Sequence, residues 1–318
     1  MSTLLLDRVA VKSLLRMSEV IIAVEEAFRM CGEGKSNMPP KTYLSLEQGD
    51  FRAMPAALPG CAGVKWVNVH PRNPSLGLPS IMAIIVYNDP NTGYPVAIMD
   101  ATEVTAYRTG AAAAVASKYL ARRNSRTIGI IGAGFQAYTQ ILAHAELFSD
   151  MCVNACDISQ TAVDKLVRSL PQFSIRNCPI EEAAASDIVC TLTPSRSPIV
   201  KREWIMPGTH INAVGADAPG KQELEPSILK QAIVVVDDVK QASSSGEINV
   251  PIRQGLYTTA EIYGTIAEVV VGKKKGRTDN KVITVFDSTG IAIEDIAVAK
   301  LLLEKAQRMG GYPSIDLV

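Results

Sequence analysis

The stretch T-I-G-I-I-G-A-G-F-Q-A, residues Thr127–Ala137, decides the fold. Its apolar first half is typical of a strand that is buried on both faces of a parallel sheet. Gly132 and Gly134 follow, and Ala137 stands where the dinucleotide fingerprint accepts glycine or alanine. A helical pattern begins after Ala137. Because strand, glycine turn and helix come in this order, the stretch predicts a place where a pyrophosphate meets a helix N-terminus.

An acidic residue follows the next strand-like segment. The apolar run Met151–Cys156 ends at Asp157, near the spacing of about 20 residues expected for an acid that binds ribose hydroxyls. A carboxylate there repels a 2′-phosphate, and the next residue is Ile158, with no arginine close behind it. These residues favour NAD over NADP. The alternative is that Asp157 only caps the helix that begins near Gln160.

Composition limits the possible classes of protein. The chain has 318 residues, which suggests about two domains, and 47% of them are apolar. Lys and Arg together number 32, as do Asp and Glu, so no net charge attracts nucleic acid or an anionic membrane. We expect no membrane span and no metal site, since the six cysteines form no zinc pattern. Buried, reduced thiols suit a cytoplasmic enzyme.

The pattern of helices and strands changes along the chain. Short strand-like segments follow an amphipathic helix over Ser18–Met30, for which Ser18 is the expected N-cap, and strands then alternate with helices. The sequence predicts an α/β protein with a Rossmann-type dinucleotide-binding domain at 121–290. A smaller β-rich domain for substrate binding and dimerisation is expected at 1–120 with 291–318.

Polar residues follow several predicted strands of the Rossmann-type domain. In such sheets the carboxyl ends of the strands face the cofactor crevice. These ends supply Thr191, Val214–Asp217 and Asp287–Thr289. Asp217 could act as a general base, but from these residues a turn aspartate is the stronger interpretation. Lys221 could bind phosphate or Asp217.

Three basic residues of the β-rich segment could carry chemistry. The apolar neighbours of Lys65 predict burial, which lowers the pKa of a lysine and makes it an acid–base candidate. A lysine whose ammonium reaches the surface is an equal alternative. Arg52 and Arg108 could each bind a carboxylate or phosphate through two hydrogen bonds, although each taken singly is typical of a surface arginine.

Nine motifs together resemble the ornithine cyclodeaminase/mu-crystallin family, and within it the archaeal alanine dehydrogenase branch. The resemblance runs nearly from end to end. The motifs are N-M-P-P-K (37–41), R-A-M-P-A (52–56), G-V-K-W-V-N (63–68), G-L-P-S (77–80), D-A-T-E-V-T-A-Y-R-T-G-A (100–111), I-G-A-G-F-Q-A (131–137), G-A-D-A-P-G-K-Q-E-L (215–224), G-E-I-N-V (246–250) and F-D-S-T-G-I-A (286–292).

The resemblance implies roles for individual residues. Lys65 and Asp217 match the family's catalytic lysine and aspartate. Substrate contacts are implied for Lys41, Arg52, Lys65 and Thr289. Cofactor contacts are expected at Ser80, Arg108, Gly132, Gly134, Phe135, Gln136, Asp157, Ile158, Thr191, Val214, Lys221 and Ser288. The β-rich domains of the family pair, which implies a homodimer.

Arg52 helps to choose a branch of the family. Cyclodeaminases of this pattern carry an acidic residue two places before Met-Pro, where this chain has Arg52. An arginine suits a short amino acid whose carboxylate is its anchor, held by Arg52 with Lys41 or Lys65. The expected reaction is reversible, NAD-dependent oxidative deamination of L-alanine to pyruvate. Ornithine cyclodeaminase, imine reductase and a non-catalytic, crystallin-like binder of NAD(P) and ligand are the alternatives.

Overall fold

The structure is a computed structural model that describes residues 2–317, apart from the side chain of Pro74. Two compact units make up the chain. The first unit combines Met1–Arg108 with Ile291–Val318, and the second unit is Thr109–Gly290. The sequence predicted the change of domain at residue 120, whereas this division falls inside a helix, between Arg108 and Thr109.

Both units contain strands and helices, numbered here in chain order. The strands are β1 (Thr3–Leu6), β2 (Thr42–Leu46), β3 (Gly49–Leu58), β4 (Cys61–Val69), β5 (Ile81–Asn88), β6 (Pro95–Asp100), β7 (Thr127–Ile131), β8 (Cys152–Cys156), β9 (Ile175–Asn177), β10 (Ile188–Thr191), β11 (His210–Ala213), β12 (Ala232–Val236), β13 (Gly264–Thr265), β14 (Ile283–Asp287) and β15 (Ser314–Ile315). The helices are α1 (Arg8–Leu14), α2 (Met17–Gly32), α3 (Thr102–Leu120), α4 (Phe135–Leu147), α5 (Gln160–Ser169), α6 (Ile180–Ala184), α7 (Pro226–Gln231), α8 (Val239–Ser245), α9 (Asn249–Arg253), α10 (Ile266–Val270) and α11 (Ala292–Met309).

The first unit is built on a seven-stranded sheet of order β15-β1-β6-β5-β4-β3-β2. Strands β2 to β6 form consecutive antiparallel pairs, and β1 joins β6 in parallel. Helix α11 packs on β3, β4 and β5 and against α2. Side chains on this face, such as Met54, Ile85 and Met99, are buried. Buried residues occupy every second position along β3 from Arg52 onward, as expected for a sheet that helices cover on one face.

Helix α2 begins one residue earlier than predicted. The expected N-cap Ser18 lies inside the helix, which starts at Met17 after Arg16. Arg16 makes no side-chain cap, and Met17 is buried. Burial of an apolar side chain therefore determines the helix start here, in place of the hydrogen bond that a serine cap would provide.

The second unit contains an eight-stranded sheet of order β13-β12-β14-β11-β10-β7-β8-β9, in which every pair is parallel. Read from β9, the order of its first five strands along the chain is 3-2-1-4-5. This is the doubly wound Rossmann arrangement, whose order reverses between β7 and β10. The predicted fold class is confirmed.

Parallel register brings the ends of five strands to one edge of this sheet. Ile131 of β7 pairs with Cys156 of β8 and with Thr191 of β10. Thr191 pairs with Ala213 of β11, which pairs with Asp287 of β14. The residues that follow these five positions therefore emerge together, at the edge where such sheets bind ligands.

None of the helices described between residues 2 and 317 combines the length and apolar character needed to cross a bilayer. Over the same residues, no three His, Cys, Asp or Glu side chains are grouped so that they could hold a metal ion.

Candidate functional site

The glycine turn after β7 has the geometry of a phosphate-binding loop. Gly132 has a φ of +102°, and a Cβ built on it would lie 3.0 Å from the Cγ2 atom of Thr193. Gly134 precedes helix α4, which has no side-chain N-cap, and a Cβ built on Gly134 would meet no atom within 4 Å. Open space in front of an uncapped helix N-terminus suits an anion held by backbone N–H groups.

Asp157 is bonded to this turn. Its Oδ2 atom accepts a hydrogen bond from the Ala133 N–H at 2.7 Å, and its Oδ1 atom accepts one from the Ser159 N–H at 2.8 Å. The N-cap of α5 is Ser159, whose Oγ accepts from the Ala162 N–H. The alternative role of Asp157, as the cap of this helix, is therefore wrong. Its carboxylate stands beside the glycine turn at the end of β8.

A cavity of about 730 Å³ opens at the same edge of the sheet. Its size lies within the range of small-molecule and cofactor sites. Four of the predicted cofactor residues line it, namely Gly132, Gly134, Asp157 and Ile158. Leu192 and Thr193 line it as well. Ile158 is fully exposed and Phe135 half exposed, so both apolar side chains are available to a ligand.

The other predicted cofactor residues of this unit lie on the aligned strand ends. Thr191 is the buried last residue of β10, while Val214 and Ser288 come directly after β11 and β14. Thr289 is buried, and its N–H and hydroxyl both donate to Asp237. Their contacts with a cofactor or substrate stay predictions.

The loop after β11 carries Asp217 as part of an ion pair. Lys221 Nζ lies 2.5 Å from Asp217 Oδ1, and both side chains are partly exposed. Asn249 holds this loop, because its Oδ1 accepts from the Gly220 N–H and its amide donates to the Lys221 carbonyl oxygen. Lys221 thus contacts Asp217, one of its two predicted partners. The role of Asp217 as a general base stays a prediction.

Lys65 lies on β4 of the first unit and is completely buried. Its Nζ atom is 2.8 Å from Asp295 Oδ1 and 2.7 Å from Asp295 Oδ2. Since its exposed fraction is 1%, the alternative that its ammonium reaches the surface is wrong. Burial, followed by the positive charge of Arg108, lowers the pKa of Lys65 to about 7. An amine with this pKa can both take up and release a proton near neutral pH.

Arg108 belongs to the same buried cluster. Its Nη1 atom lies 2.7 Å from Glu294 Oε2, and its Nε atom lies 3.2 Å from Asp295 Oδ1. All four charged side chains of the cluster are shielded from solvent within the first unit. The cofactor contact predicted for Arg108 stays a prediction.

Arg52 is the fourth residue of β3, and neighbouring side chains orient its guanidinium. Its Nε atom is 2.7 Å from Asp50 Oδ1, and its guanidinium carbon lies 5.3 Å from the centre of the Tyr43 ring. These contacts fix the plane of the guanidinium, and a fixed plane is required for a bidentate pair of hydrogen bonds to a carboxylate. Lys41 precedes β2 and Ser80 precedes β5, both partly buried.

Glu294 and Asp295 are not among the residues that the sequence predicted for the site. Acidic residues in the first turn of a helix usually interact with the helix dipole in solvent. The signal that could have identified Asp295 is its position, because it shares the buried stripe of α11 with Ala299, Leu302 and Ala306. A carboxylate on an apolar stripe needs a buried cation.

Fold and cavity together define a Rossmann-type dinucleotide-binding protein with a second, β-rich unit. The family model of the ornithine cyclodeaminase/mu-crystallin family matches residues 1–310. The chain belongs to the ornithine cyclodeaminase/mu-crystallin family.

Three similar proteins are informative. The chain is 52% identical to the alanine dehydrogenase of Archaeoglobus fulgidus, over 96% of each chain. The structure of an archaeal alanine dehydrogenase dimer with bound NAD matches at a TM-score of 0.97 and 50% identity, over 100% of both chains. The Thermococcus litoralis delta(1)-pyrroline-2-carboxylate reductase, solved with NADH and L-proline, matches at a TM-score of 0.94 and 40% identity, over 98% of this chain and 99% of that one.

The buried cluster generates a prediction about stability. Asp295→Ala removes the carboxylate that pairs with Lys65 and Arg108, and leaves both cations in the interior. We expect the free energy of unfolding to fall by about 3–5 kcal/mol, as for other broken buried ion pairs. Urea denaturation measures this. The matched control is Glu304→Ala, on the exposed face of the same helix, for which we expect a change within about 0.5 kcal/mol. Equal losses in the two variants would contradict the prediction.

Proposed function

We propose that the protein catalyses the reversible, NAD-dependent oxidative deamination of L-alanine to pyruvate and ammonia. The observation that carries this proposal is the 52% identity to an alanine dehydrogenase over 96% of both chains. The polar residues that the reaction needs, Lys65, Arg52 and Asp217, are all present in this chain.

The second unit fits NAD. The open space at Gly134, the uncapped start of α4 and the carboxylate of Asp157 offer a phosphate site beside a ribose site. Residues Ile158–Gln160 provide no cation for a 2′-phosphate, so NAD is preferred to NADP. The dinucleotide contacts proposed in this unit are those of Gly132, Gly134, Phe135, Gln136, Asp157, Ile158, Thr191, Val214, Lys221 and Ser288. Ser80 and Arg108 complete the set.

The first unit supplies the substrate anchor. Arg52 offers a guanidinium, oriented by Asp50, to the carboxylate of the amino acid, and Lys41 adds a second positive charge. An acidic residue at position 52 would instead suit the distal amine of ornithine. Because L-alanine has only a methyl side chain, its carboxylate is the group by which it can be oriented. Thr289 is proposed to lie near the substrate.

Proton transfer falls to Lys65 and Asp217. NAD, held by the second unit, would supply the acceptor for the hydride of the α-carbon of L-alanine. Before this step the substrate ammonium must lose a proton, which the neutral amine of Lys65 accepts. The resulting imine adds water, ammonia leaves and pyruvate remains, with Asp217 taking the proton of the attacking water. Each such acid–base role typically contributes about 10²–10⁴-fold in rate.

Imine reduction is the rival that a specific observation favours. The Thermococcus litoralis reductase shares 40% of its residues with this chain at a TM-score of 0.94. A cyclic imine acid also presents a carboxylate to Arg52. Two further candidates are the ornithine cyclodeaminase reaction, in which NAD returns its hydride, and a crystallin-like binding role.

A homodimer is proposed from the outer face of the first unit's sheet. Trp66 pairs directly with Ala53 and Ile84 on the neighbouring strands, so the three side chains share the face opposite to α11. Phe51 stacks on Trp66 with ring centres 5.4 Å apart. Trp66 and Ile84 are 40% and 46% exposed. An apolar sheet face of this kind is typical of a surface that is covered by a second subunit.

A cytoplasmic location is also proposed. All six cysteines are present as thiols, and four of them are buried. Unpaired cysteines in this number suit a reducing compartment.

A panel of substrates tests the proposed reaction. We expect NADH formation, followed at its absorbance, with L-alanine and NAD, and much slower reduction of NADP. L-Ornithine, L-proline and other small L-amino acids complete the panel, and delta(1)-pyrroline-2-carboxylate with NADH tests imine reduction. Proline formed from ornithine without net NADH would overturn the dehydrogenase assignment in favour of a cyclodeaminase.

The lowered pKa of Lys65 predicts a pH dependence. Below about pH 7 the amine is protonated and cannot accept the substrate's proton, so kcat/KM for L-alanine oxidation should rise with pH and level off above pH 7. Lys65→Arg keeps the positive charge at all these pH values. We expect this variant to lose about 10²–10⁴-fold in kcat/KM and to lose the rise near pH 7. Lys65→Ala with most of its activity retained would remove Lys65 from the mechanism.

The proposed interface predicts the effect of a charge on it. Ile84→Glu places a carboxylate on the apolar sheet face, where a second subunit would bury it without a partner. We expect the variant to be monomeric by sedimentation equilibrium, while the wild type is dimeric. Val9→Glu changes an exposed apolar residue of α1 and serves as the control, with an unchanged mass. A dimer that persists in Ile84→Glu would show that this face is not the interface.

A further inference from the structure

Three buried carboxylates in the second unit are joined through backbone N–H groups. Asp287 accepts hydrogen bonds from the N–H groups of Glu247 and Ile248 at 2.9 and 3.1 Å. Glu247 in turn accepts from the N–H groups of Glu223 and Leu224 at 3.0 and 2.6 Å. Each acid thus fixes the backbone that carries the next. The series begins at the end of β14 and ends at Glu223.

Glu223 bonds two loops at once. Its Oε1 atom accepts from the N–H of Thr193 at 2.7 Å and from the hydroxyl of Thr193 at 2.8 Å. Its Oε2 atom accepts from the N–H of Gly215 at 3.0 Å. Thr193 lines the cavity beside the glycine turn, and Gly215 begins the loop that carries Asp217. One carboxylate therefore connects the wall of the cavity to the Asp217 loop.

The backbones of these two loops are in close contact at Gly215. A Cβ on Gly215 would lie 2.3 Å from the carbonyl oxygen of Thr193 and 2.5 Å from Glu223 Oε2. Only glycine can occupy this position, and a shift of Thr193 must displace Gly215 or break its bond to Glu223.

A buried carboxylate at position 223 lowers the stability of the fold, which suggests that it is kept for a function. Glu223 and Glu247 are both fully buried, and within residues 2–317 neither forms an ion pair with a lysine or arginine. Burial raises the pKa of Glu223 to about 7, although the hydrogen bonds that it accepts oppose this. Apolar side chains would fill the same space at lower cost. The hydrogen bonds to Thr193 and Gly215 are what a carboxylate adds.

We propose that Glu223 is a positioning residue that couples the cofactor cavity, through Thr193, to the placement of Asp217, through Gly215. The inference rests on the proposed function, since it takes the cavity to bind NAD and Asp217 to transfer protons. A dinucleotide that presses on Thr193 then also sets Gly215, so the loop with Asp217 takes its working position when the cofactor is bound. Glu247 and Asp287 act one step further back, by fixing Glu223 itself.

The first experiment replaces the carboxylate. Glu223→Gln keeps the shape, but its amide has one acceptor atom and one donor group, so one of the two loops must lose its bond. We expect kcat at saturating NAD to fall, or the dissociation constant of NADH to rise, by roughly 5- to 100-fold. NADH binding is followed by its fluorescence and needs no turnover. Glu225→Gln is the control two residues away, at a partly exposed site, and should match the wild type.

The second experiment tests the coupling itself. Thr193→Val removes the hydroxyl that donates to Glu223 and keeps the volume of the side chain. In the wild-type background we expect it to lower kcat at saturating NAD by about 2- to 10-fold, because weakening one carboxylate oxygen loosens Gly215 on the other. In a Glu223→Ala background the same change should have no further effect on kcat. Equal effects in both backgrounds would show that the Thr193 hydroxyl acts independently of Glu223 and would contradict the coupling.

Two results would overturn the proposal. One is a folded Glu223→Gln enzyme with the wild-type kcat and NADH affinity. The other is Thr193→Val with an unchanged kcat at saturating NAD, a result that can be obtained even if the Glu223 variants do not fold. Failure of the proposed function looks different, because the wild type would then bind NADH without oxidising L-alanine, and the effect of Glu223→Gln on NADH binding could still be measured.

Discussion

A charged side chain that is buried on folding needs an ion-pair or hydrogen-bond partner, and this constraint shapes both units of the protein. In the first unit Lys65 and Arg108 meet Glu294 and Asp295, so helix α11 is fixed to the sheet by charge as well as by apolar packing. In the second unit the buried carboxylates of Glu223, Glu247 and Asp287 accept hydrogen bonds from backbone N–H groups, and this settles the course of the loops at the carboxyl edge of the sheet. Buried charge of this kind is costly, and it occurs here where the proposed chemistry needs exact placement.

Local patterns predicted much of the fold correctly. The glycine turn after β7 depends on residues that are neighbours in the sequence, and it lies where the fingerprint predicted it, between β7 and α4. The burial of Lys65 was visible in its apolar neighbours. Thr191, Val214 and Ser288 reach one edge because parallel strands in register have their ends side by side, which the alternation of strands and helices already implied.

What the sequence did not predict depends on long-range pairing. Lys65 and Asp295 are 230 residues apart, so no local pattern connects them. The short strand β15 and the strand β1 were missed as well, because each has few residues and gains its hydrogen bonds from the other end of the chain. From the sequence, Asp157 could be a ribose-binding acid or a helix cap. The structure excludes the cap, because Ser159 holds that position, and ribose binding stays a prediction.

The discontinuity of the first unit has a consequence for synthesis on the ribosome. The second unit is a single uninterrupted segment, Thr109–Gly290, and can fold as soon as it has emerged, since domains generally fold as units. The first unit cannot be completed then. Its sheet is missing β15, and Lys65 stays without Asp295 until the segment after Gly290 is translated. The protein therefore acquires its lysine site last, and a truncated chain would keep a nucleotide fold while leaving a lysine that remains hydrated and fully basic.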